Sequence, residues 1–450
     1  MEREKRLEEK LPRYLEALRE LVAIPTVSAR NQSIPEGAEA VAAIARRFRL
    51  DAEVHYFEGV PYVVAGYRGP GEAPALLFYN HFDVQPEDPL ELWETPPFDM
   101  TERDGKLYGR GVCDDKGHII VRLAAFDLLV EELGELPVNL LFLAEGEEEI
   151  GSPHIRGFLR EKADLLMARG CIWESGGVTS RGRPELYMGM KGVMSLELRA
   201  RGPKMDVHSS LGPVVPNPLW KLVDFLREIK DADDRIRIPD FYADVLPPDE
   251  RDLQALSEGL DEMEELRESL GLEAFLGGAE GLEAKRRLFF EPWVNINGIH
   301  GGYGGEGSKT VLPSEARAKL DIRLVPDQKP EVILEKLLYY RYKLGYSDIE
   351  IEVSGGMEGP AKTPLDDPFV RLVADSAEET YGEKPLLIPI AAGSGPMAHF
   401  RDILGVPIVG CGMGYPGSRI HSPNENIRIE DFKRAILHTA KVIEKFASKS

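Results

Sequence analysis

The sequence predicts an α/β fold that is interrupted by a second, α+β segment. Up to about residue 145, short apolar runs bounded by glycine and proline alternate with amphipathic helical stretches, and this alternation is typical of an α/β layer. From about Val193 the pattern changes to alternating strands and a long acidic stretch, and after Pro360 the first pattern returns. We therefore expect the first domain to resume near the C-terminal end.

Each element follows from a local pattern. Leucines at positions 7, 11, 15 and 18 have helical spacing among charged residues, and Pro25 ends the pattern. The predicted helices are 6–23, 38–48, 117–133 and 369–381, and the predicted strands are 62–65, 75–79, 138–144, 194–200, 316–324 and 406–410. Residues 249–287 have the pattern of one long acidic helical stretch, which we interpret as a solvated run of charge.

Composition limits the possible functions. The 450 residues are 43% hydrophobic, enough to bury a core in each of two domains. The formal charge of −22 argues against a nucleic-acid or anionic-membrane partner, because both require basic surface. Cys113, Cys171 and Cys411 lack CxxC spacing, so we expect neither disulfides nor a thiolate metal site. With no signal-peptide pattern and no apolar stretch of about 18 residues, a cytoplasmic location fits best.

Acidic and histidine side chains follow three of the strand-like runs. His81 and Asp83 follow the run at 75–79, the acidic segment 145–149 follows 138–144, and Glu174 follows Cys171-Ile-Trp. Ligand sites in α/β sheets lie beyond the carboxyl ends of strands, so these groups could converge. Two further candidates lie elsewhere in the sequence: Asp114-Asp115, just before a predicted helix, and His421.

Each of these groups has a simpler interpretation when taken alone. A His-x-Asp pair is usually a surface hydrogen bond. Acidic residues such as 147–149 commonly begin a solvated helix, and Asp114-Asp115 could be a turn and an N-cap. The occurrence of all of them in one chain favours a shared site over these separate interpretations.

Five motifs resemble those of a known family. They are Asn80-His-Phe-Asp-Val-Gln-Pro86, Leu107-Tyr-Gly-Arg-Gly-Val-Cys-Asp-Asp-Lys-Gly117, Glu145-Gly-Glu-Glu-Glu-Ile-Gly-Ser152, Asp206-Val-His-Ser209 and His421-Ser-Pro-Asn-Glu425. The family is that of the di-zinc metallopeptidases, which includes carnosinase, cytosolic nonspecific dipeptidase, glutamate carboxypeptidase, acetylornithine deacetylase and aminoacylase. Three more segments resemble the carnosinase and nonspecific dipeptidase branch: Gly298-Ile-His-Gly-Gly, Lys309-Thr-Val-Leu-Pro313 and Asp321-Ile-Arg-Leu-Val-Pro326.

The resemblance implies a catalytic domain, residues 1–192 and 361–450, with a mixed, mostly parallel sheet flanked by helices. An α+β lid and dimerisation domain, residues 193–360, would be inserted in it. Two divalent metal ions are implied, zinc by default and manganese or cobalt as alternatives. The first ion would be held by His81, Asp114 and Glu174, and the second by Asp114, Glu149 and His421, with Asp114 bridging. Asp83 would orient His81, and Asp115 would follow Asp114 through a cis peptide bond.

The same resemblance assigns the general base to Glu148, with Glu147 as the alternative one position away. His208 would extend from the lid into the active site of a partner subunit, which implies a homodimer. In this chain Ser210 stands where the family usually has glycine.

Four residues correspond to substrate-binding positions. Arg323 and Thr310 match positions of the dipeptidase branch, and a guanidinium suits a C-terminal carboxylate. Gly393 and Ser394 resemble a loop that could bind the same carboxylate. Arg323 could instead be a structural partner of the nearby Asp321.

The implied function is metal-dependent hydrolysis of dipeptides or short peptides with a free C-terminal carboxylate. The alternative is deacylation of N-acyl amino acids, of the acetylornithine deacetylase or succinyl-diaminopimelate desuccinylase type, at the same site. A binding or scaffold protein on this fold is disfavoured, because every expected metal ligand is present.

Overall fold

The computed structural model describes residues 2–448, which contain twelve α-helices and twenty strands. The helices are α1 (Glu2–Val22), α2 (Ile34–Arg47), α3 (Lys116–Leu133), α4 (Ile155–Leu166), α5 (Pro218–Ile229), α6 (Glu250–Leu256), α7 (Asp261–Ser269), α8 (Gly281–Phe290), α9 (Pro330–Lys343), α10 (Pro368–Tyr381), α11 (Met397–Leu404) and α12 (Ile429–Ser448). The strands are β1 (Asp51–Phe57), β2 (Val60–Tyr67), β3 (Ala75–His81), β4 (Thr101–Arg103), β5 (Lys106–Tyr108), β6 (Asn139–Glu145), β7 (Gly170–Trp173), β8 (Gly177–Val178), β9 (Pro184–Tyr187), β10 (Gly189–Met190), β11 (Gly192–Arg201), β12 (Val207–His208), β13 (Trp293–Gly301), β14 (Val311–Leu312), β15 (Glu315–Leu324), β16 (Glu350–Glu358), β17 (Ala361–Lys362), β18 (Leu386–Ile388), β19 (Ile408–Gly410) and β20 (Asn426–Arg428).

The largest sheet has nine strands, in the order β1-β2-β6-β3-β7-β19-β9-β18, with β8 beside β9. Its central strands β6, β3, β7 and β19 are parallel, whereas β1, β2 and β6 pair antiparallel at one end. The predicted α/β fold with a mixed sheet is therefore confirmed. Because β6, β3 and β7 are parallel neighbours, their carboxyl ends meet at one edge of the sheet.

Helices cover both faces of this sheet. The larger core packs α1, α2, α3, α10 and α12 against one face, and a second core packs α4 and α11 against the other. Helix α3 is buried continuously from Lys116 to Val130, as its mostly apolar sequence requires. A buried α3 fixes the turn that precedes it, where Asp114 lies.

The inserted segment has its own antiparallel sheet, in the order β13-β15-β11-β16. Helices α5 and α9 pack on this sheet around a core whose residues all lie between Met194 and Ile349. The α+β character predicted for the insert agrees with this arrangement. Its limits at 193 and 360 stay a prediction, to which β10 and β17, paired side by side at the two crossings, lend support.

The acidic stretch 249–287 was predicted as one long, solvated helix, and this prediction is wrong. The chain forms the separate helices α6, α7 and α8. Gly259, Gly271 and Gly277 interrupt them at φ values of 61°, 65° and 63°, which glycine adopts without strain. The stretch is also only partly solvated, since Asp252 and Lys285 are 1% and 2% exposed.

The structure also describes the three cysteines and the apolar character of the helices. Cys113, Cys171 and Cys411 are free and buried. Within residues 2–448 we find no helix with the length and apolar character needed to cross a membrane.

Candidate active site

Three parallel strands deliver the predicted site residues to one edge of the sheet. Strand β3 ends at His81, whose register partner in β6 is Glu145. Glu148 and Glu149 lie in the turn after β6, and Glu174 directly follows β7. The convergence expected at the carboxyl ends of the strands is therefore present in the structure.

Asp114 lies between two histidines. His81 Nε2 is 3.1 Å from Asp114 Oδ1, and His421 Nε2 is 2.9 Å from Asp114 Oδ2. The same His421 nitrogen is 3.2 Å from Glu149 Oε2. Ligand atoms of His81, Asp114 and Glu149 all lie within 4.8 Å of one another. One carboxylate thus faces both halves of a metal-binding cluster.

Glu174 completes the cluster on the His81 side. Its Oε2 atom lies 3.9 Å from His81 Nε2 and is buried without a hydrogen-bond partner. A buried carboxylate oxygen without a partner is costly, because it has lost its hydration. The structure thus brings together all five predicted ligands, and a cation would supply the contact that Glu174 lacks.

The charges of the cluster also fit cations. Burial raises the pKa of Glu148 and of Glu174, and repulsion from neighbouring carboxylates adds to it. Burial opposes ionisation of Asp114, but contacts with His421 and His81 hold the pKa of its carboxyl well below the usual range. His421 would lose its proton on burial, yet contacts with Asp114 and Glu149 raise its pKa to about 10. Nitrogen and oxygen ligands of this kind are those that zinc accepts.

Asp83 connects His81 to the loop that carries Glu148 and Glu149. His81 Nδ1 lies 3.1 Å from the Asp83 backbone oxygen and 3.4 Å from its Oδ1. The Asp83 carboxylate also accepts the backbone N–H groups of Glu148 and Glu149, at 3.2 and 3.0 Å. It therefore fixes a histidine and two acids at once, whereas the sequence suggested contact with the histidine alone.

Asp115 belongs to a buried network beside the cluster, and its Oδ2 accepts the His81 backbone N–H at 3.2 Å. The peptide bond that joins it to Asp114 is cis, as the resemblance predicted. Its carboxylate accepts from Asn80 Nδ2 at 2.6 Å and lies 2.9 Å from His118 Nδ1. His118 Nε2 in turn accepts the Met413 N–H at 3.1 Å, so Nδ1 carries the proton.

Glu425 and Gln85 are two supporting residues to which the sequence assigned no role. Glu425 is fully buried and accepts from Arg110 at 2.8 Å and from the backbone N–H of Asp114 at 3.0 Å. Gln85 donates to both carboxylate oxygens of Glu149, at 3.1 and 2.8 Å. Both residues lie inside the quoted motifs. Their place in these motifs was the only feature of the sequence that could have indicated a role at the site.

The two candidate bases face different surroundings. Glu148 lines a cavity of about 610 Å³ together with Asp114, Glu174 and His421. Glu147 instead contacts His154, at 2.8 Å between its Oε2 and Nδ1. Of the two, Glu148 is the one that can reach a reacting group in the cavity.

Three of the four predicted substrate-binding residues lie together. Gly393 and Ser394 line the cavity. Arg323, on β15 of the insert, donates to Ser394 Oγ at 2.9 Å and to Asp321 Oδ2 at 3.1 Å. The guanidinium is thus held by Asp321, as the structural alternative predicted, and also extends to the cavity rim.

His208 and Thr310 lie apart from the other predicted residues. His208 Nε2 is 3.1 Å from Thr310 Oγ1, and both residues are exposed at the paired strands β12 and β14. Within residues 2–448, neither side chain belongs to the wall of the catalytic cavity.

Comparison with known proteins identifies the family. A model of peptidase family M20/M25/M40 matches residues 77–445, well over half of the chain. The Cys-Gly metallodipeptidase dug1 of Schizosaccharomyces pombe is 27% identical, with the alignment covering 99% of this chain and 98% of the relative. The Beta-Ala-His dipeptidase of Rattus norvegicus is 32% identical over 61% of this chain and 56% of the relative.

Solved structures share the whole architecture. The M20 family metallo-carboxypeptidase Sso-CP2 from Sulfolobus solfataricus has a TM-score of 0.92 and 35% identity, and the match covers 97% of this chain and 99% of that one. Human carnosine dipeptidase 1 has the same fold, with a TM-score of 0.81 at 24% identity over 99% of both chains. The resemblance predicted from the motifs is thus confirmed, and the chain belongs to peptidase family M20/M25/M40 and is a hydrolase acting on peptide bonds.

Proposed function

We propose that this chain is a metal-dependent exopeptidase that hydrolyses dipeptides or short peptides with a free C-terminal carboxylate. The observation that carries the proposal is the cluster in which His81, Glu149, Glu174 and His421 meet around Asp114. Asp114, Glu174 and His421 of this cluster line one cavity. Relatives that are named metallodipeptidase and metallo-carboxypeptidase support the same reaction class.

The donor set suits two divalent ions. His81, Asp114 and Glu174 would hold one ion, and Asp114, Glu149 and His421 the other. Zinc is the expected metal, with manganese and cobalt as alternatives. When bound, the ions supply Lewis acidity toward the scissile carbonyl and lower the pKa of a bound water.

Glu148 would carry the proton in this reaction. Its carboxylate faces the cavity beside Glu174, so it can accept a proton from the attacking water and return it to the nitrogen of the leaving amine. Asp83 positions it by accepting the Glu148 N–H at 3.2 Å. The reaction needs no covalent intermediate with the chain.

Arg323 and Ser394 would bind the C-terminal carboxylate of the substrate. The guanidinium is held against Ser394 Oγ at 2.9 Å, and Gly393 and Ser394 form the adjoining wall. A charged fork beside backbone amides favours a planar carboxylate. A free C-terminus would then be required at a fixed distance from the scissile bond.

A homodimer would complete the site. His208 is exposed and lies outside the cavity wall of its own chain, with Thr310 as its neighbour. A two-fold arrangement would let it enter the partner's cavity and stabilise the oxyanion that forms at the carbonyl.

The test begins with removal of metal by a chelator, followed by addition of zinc, manganese or cobalt. We expect hydrolysis of dipeptides only after metal is restored, with about two metal ions per chain by elemental analysis. C-terminal amides of the same dipeptides should react poorly, since they lack the carboxylate. Activity confined to N-acetyl or N-succinyl amino acids would contradict the proposal and favour the deacylase alternative.

A further inference from the structure

The helices α6 to α8 of the insert lie against the catalytic domain. Leu256 and Phe290 pack with Ile390 of the catalytic domain in a small apolar core. Arg183 donates to Glu258 at 2.6 Å, and Lys362 pairs with Asp252. Ser180 of the catalytic domain donates to Glu265 of α7 at 3.0 Å. These contacts hold α7 and α8 in place above the space that lies beneath them.

That space is the far end of the catalytic cavity. The cavity of about 610 Å³ extends from Glu148 and His421 to side chains of both α7 and α8. Its far end is walled mainly by apolar side chains, which are Val178, Met263, Leu266, Leu288, Phe289 and Ile388. An aliphatic chain therefore finds a matching surface there.

Four polar groups lie in this apolar end: Glu185 and Tyr187 on β9, Glu262 on α7 and Lys285 on α8. Tyr187 donates to Glu185 Oε2 at 2.8 Å. Lys285 Nζ donates to the Glu258 backbone oxygen at 2.6 Å and lies 3.9 Å from Glu262 Oε2. Two carboxylates share one ammonium, so the group carries one net negative charge when both carboxylates are ionised.

The Glu185 side chain lines the same cavity as Asp114, Glu174 and His421 of the metal cluster. Gly177 is three residues after Glu174, a span of at most about 11 Å. A Cβ atom on Gly177 would lie 3.0 Å from the Gly414 backbone oxygen and 3.2 Å from Glu185 Oε2, so Glu185 packs directly beside the segment that follows Glu174.

Groups of both charges border the cavity. Ser394, which accepts from Arg323 at 2.9 Å, lines it, and so do Glu185 and Glu262. If a peptide places its carboxylate at Arg323 and its scissile bond at the metal cluster, its amino-terminal residue is the part left to occupy the space lined by Glu185 and Glu262.

We propose that Glu185 and Glu262 form a specificity pocket for a cationic side chain on the amino-terminal residue of the substrate, with Lys285 limiting the net charge to one. This inference rests on the proposed function, because it takes a peptide as the occupant of the cavity. An alternative role, bracing α7 and α8 against β9, would affect stability but not the choice between substrates of equal shape.

The experiment compares lysyl-alanine with norleucyl-alanine, which differ in the charged group and little in shape. We expect Glu185→Gln and Glu262→Gln each to lower the ratio of the two kcat/KM values about tenfold. The kcat/KM for norleucyl-alanine should change less than about threefold. Lys285→Met should raise the ratio. Glu264→Gln is the matched control, because that carboxylate lies on the same helix but pairs with Arg267 in solvent.

Three results would overturn the pocket: an unchanged ratio, a parallel loss with both substrates, or an effect confined to alanyl-lysine over alanyl-norleucine. If the metal-loaded wild type hydrolyses no dipeptide, the proposed function fails independently. The pocket is then tested by calorimetry with lysinamide and norleucinamide. The pocket is supported if Glu185→Gln weakens the binding of lysinamide but not that of norleucinamide. It is overturned if the wild type binds both ligands equally.

Discussion

Glu148 and Glu147 are adjacent residues with different environments, and this difference can be tested directly. Glu148 faces the cavity, whereas Glu147 contacts His154 at 2.8 Å. We expect Glu148→Gln to keep its metal content but to lose about 10²–10⁴-fold in kcat, since it removes the proposed proton carrier. Metal is measured by elemental analysis and kcat by dipeptide hydrolysis.

Glu147→Gln is the matched control and should retain most of the activity. Loss of turnover in Glu147→Gln with full activity in Glu148→Gln would move the base to Glu147. A loss of metal in Glu148→Gln would instead make this residue a ligand.

The charge state of Glu262 predicts a pH-dependent substrate preference. Burial and then repulsion from Glu185 raise its pKa to about 7; Asp261 adds to this, while Lys285 and Arg183 oppose it. Between about pH 6 and pH 8.5 Glu262 gains its charge, while a lysine ε-ammonium stays protonated and the α-amine is common to both substrates. The ratio of kcat/KM for lysyl-alanine to that for norleucyl-alanine should therefore rise severalfold over this range.

Glu262→Gln provides the control for this titration, and its ratio should be flat across the same pH range. A rise of equal size in the variant would assign the titration to another group and contradict the prediction.

Most of the metal site could be predicted at the level of single residues, because its residues occur in short motifs with fixed spacing. His81 and Asp114, for example, lie in two quoted motifs and meet at 3.1 Å. The acidic pocket could not be predicted in this way. Glu185, Glu262 and Lys285 come from three separate elements and have no motif, so only the packing of α7 and α8 brings them to one cavity.

At the scale of elements, the loop before α3 depends on one buried acid. The Glu425 carboxylate accepts the Gly111, Cys113 and Asp114 N–H groups at 2.9–3.0 Å and faces the Arg110 guanidinium. Glu425→Gln leaves that buried cation without its counter-charge. The free energy of unfolding should fall by about 3 kcal/mol, as measured by urea unfolding of the metal-free protein.

An exposed ion pair provides the control for the stability effect of Glu425→Gln. Glu350→Gln removes the partner of Arg201 on the surface of the insert, and the unfolding midpoint should stay the same because such pairs contribute little. Equal midpoints for Glu425→Gln and wild type would show that the loop is held by other contacts.

The helices and strands could be predicted where one periodicity dominates. Strand β3 and helix α3 coincide with predicted segments within two residues at each end. The three helices within the stretch 249–287 could not be predicted from the sequence. Its charges suggest one long helix, whereas glycines with positive φ values divide it into three. Tertiary contacts determine where this stretch packs. Ion pairs such as that of Arg183 with Glu258 join residues far apart in the sequence, so a local pattern does not reveal them.

At the scale of the whole molecule, the exposed His208 predicts that two chains share each active site. We expect His208→Ala and Glu148→Gln chains to be nearly inactive as separate homodimers. A heterodimer of the two would have one site with an intact Glu148 and an intact His208 from the other chain. After dissociation and reassociation of an equal mixture, about half of the dimers are mixed and each has one working site of two, so about a quarter of the wild-type activity should return.

The control mixes His208→Ala with the double variant Glu148→Gln/His208→Ala, which cannot supply a histidine to the intact base. This mixture should stay inactive under the same conditions. Light scattering checks that all variants form dimers. A lack of recovered activity can then not be attributed to a failure of assembly. If both mixtures stay inactive while dimers are present, His208 acts within its own chain or not at all, and the shared site is refuted.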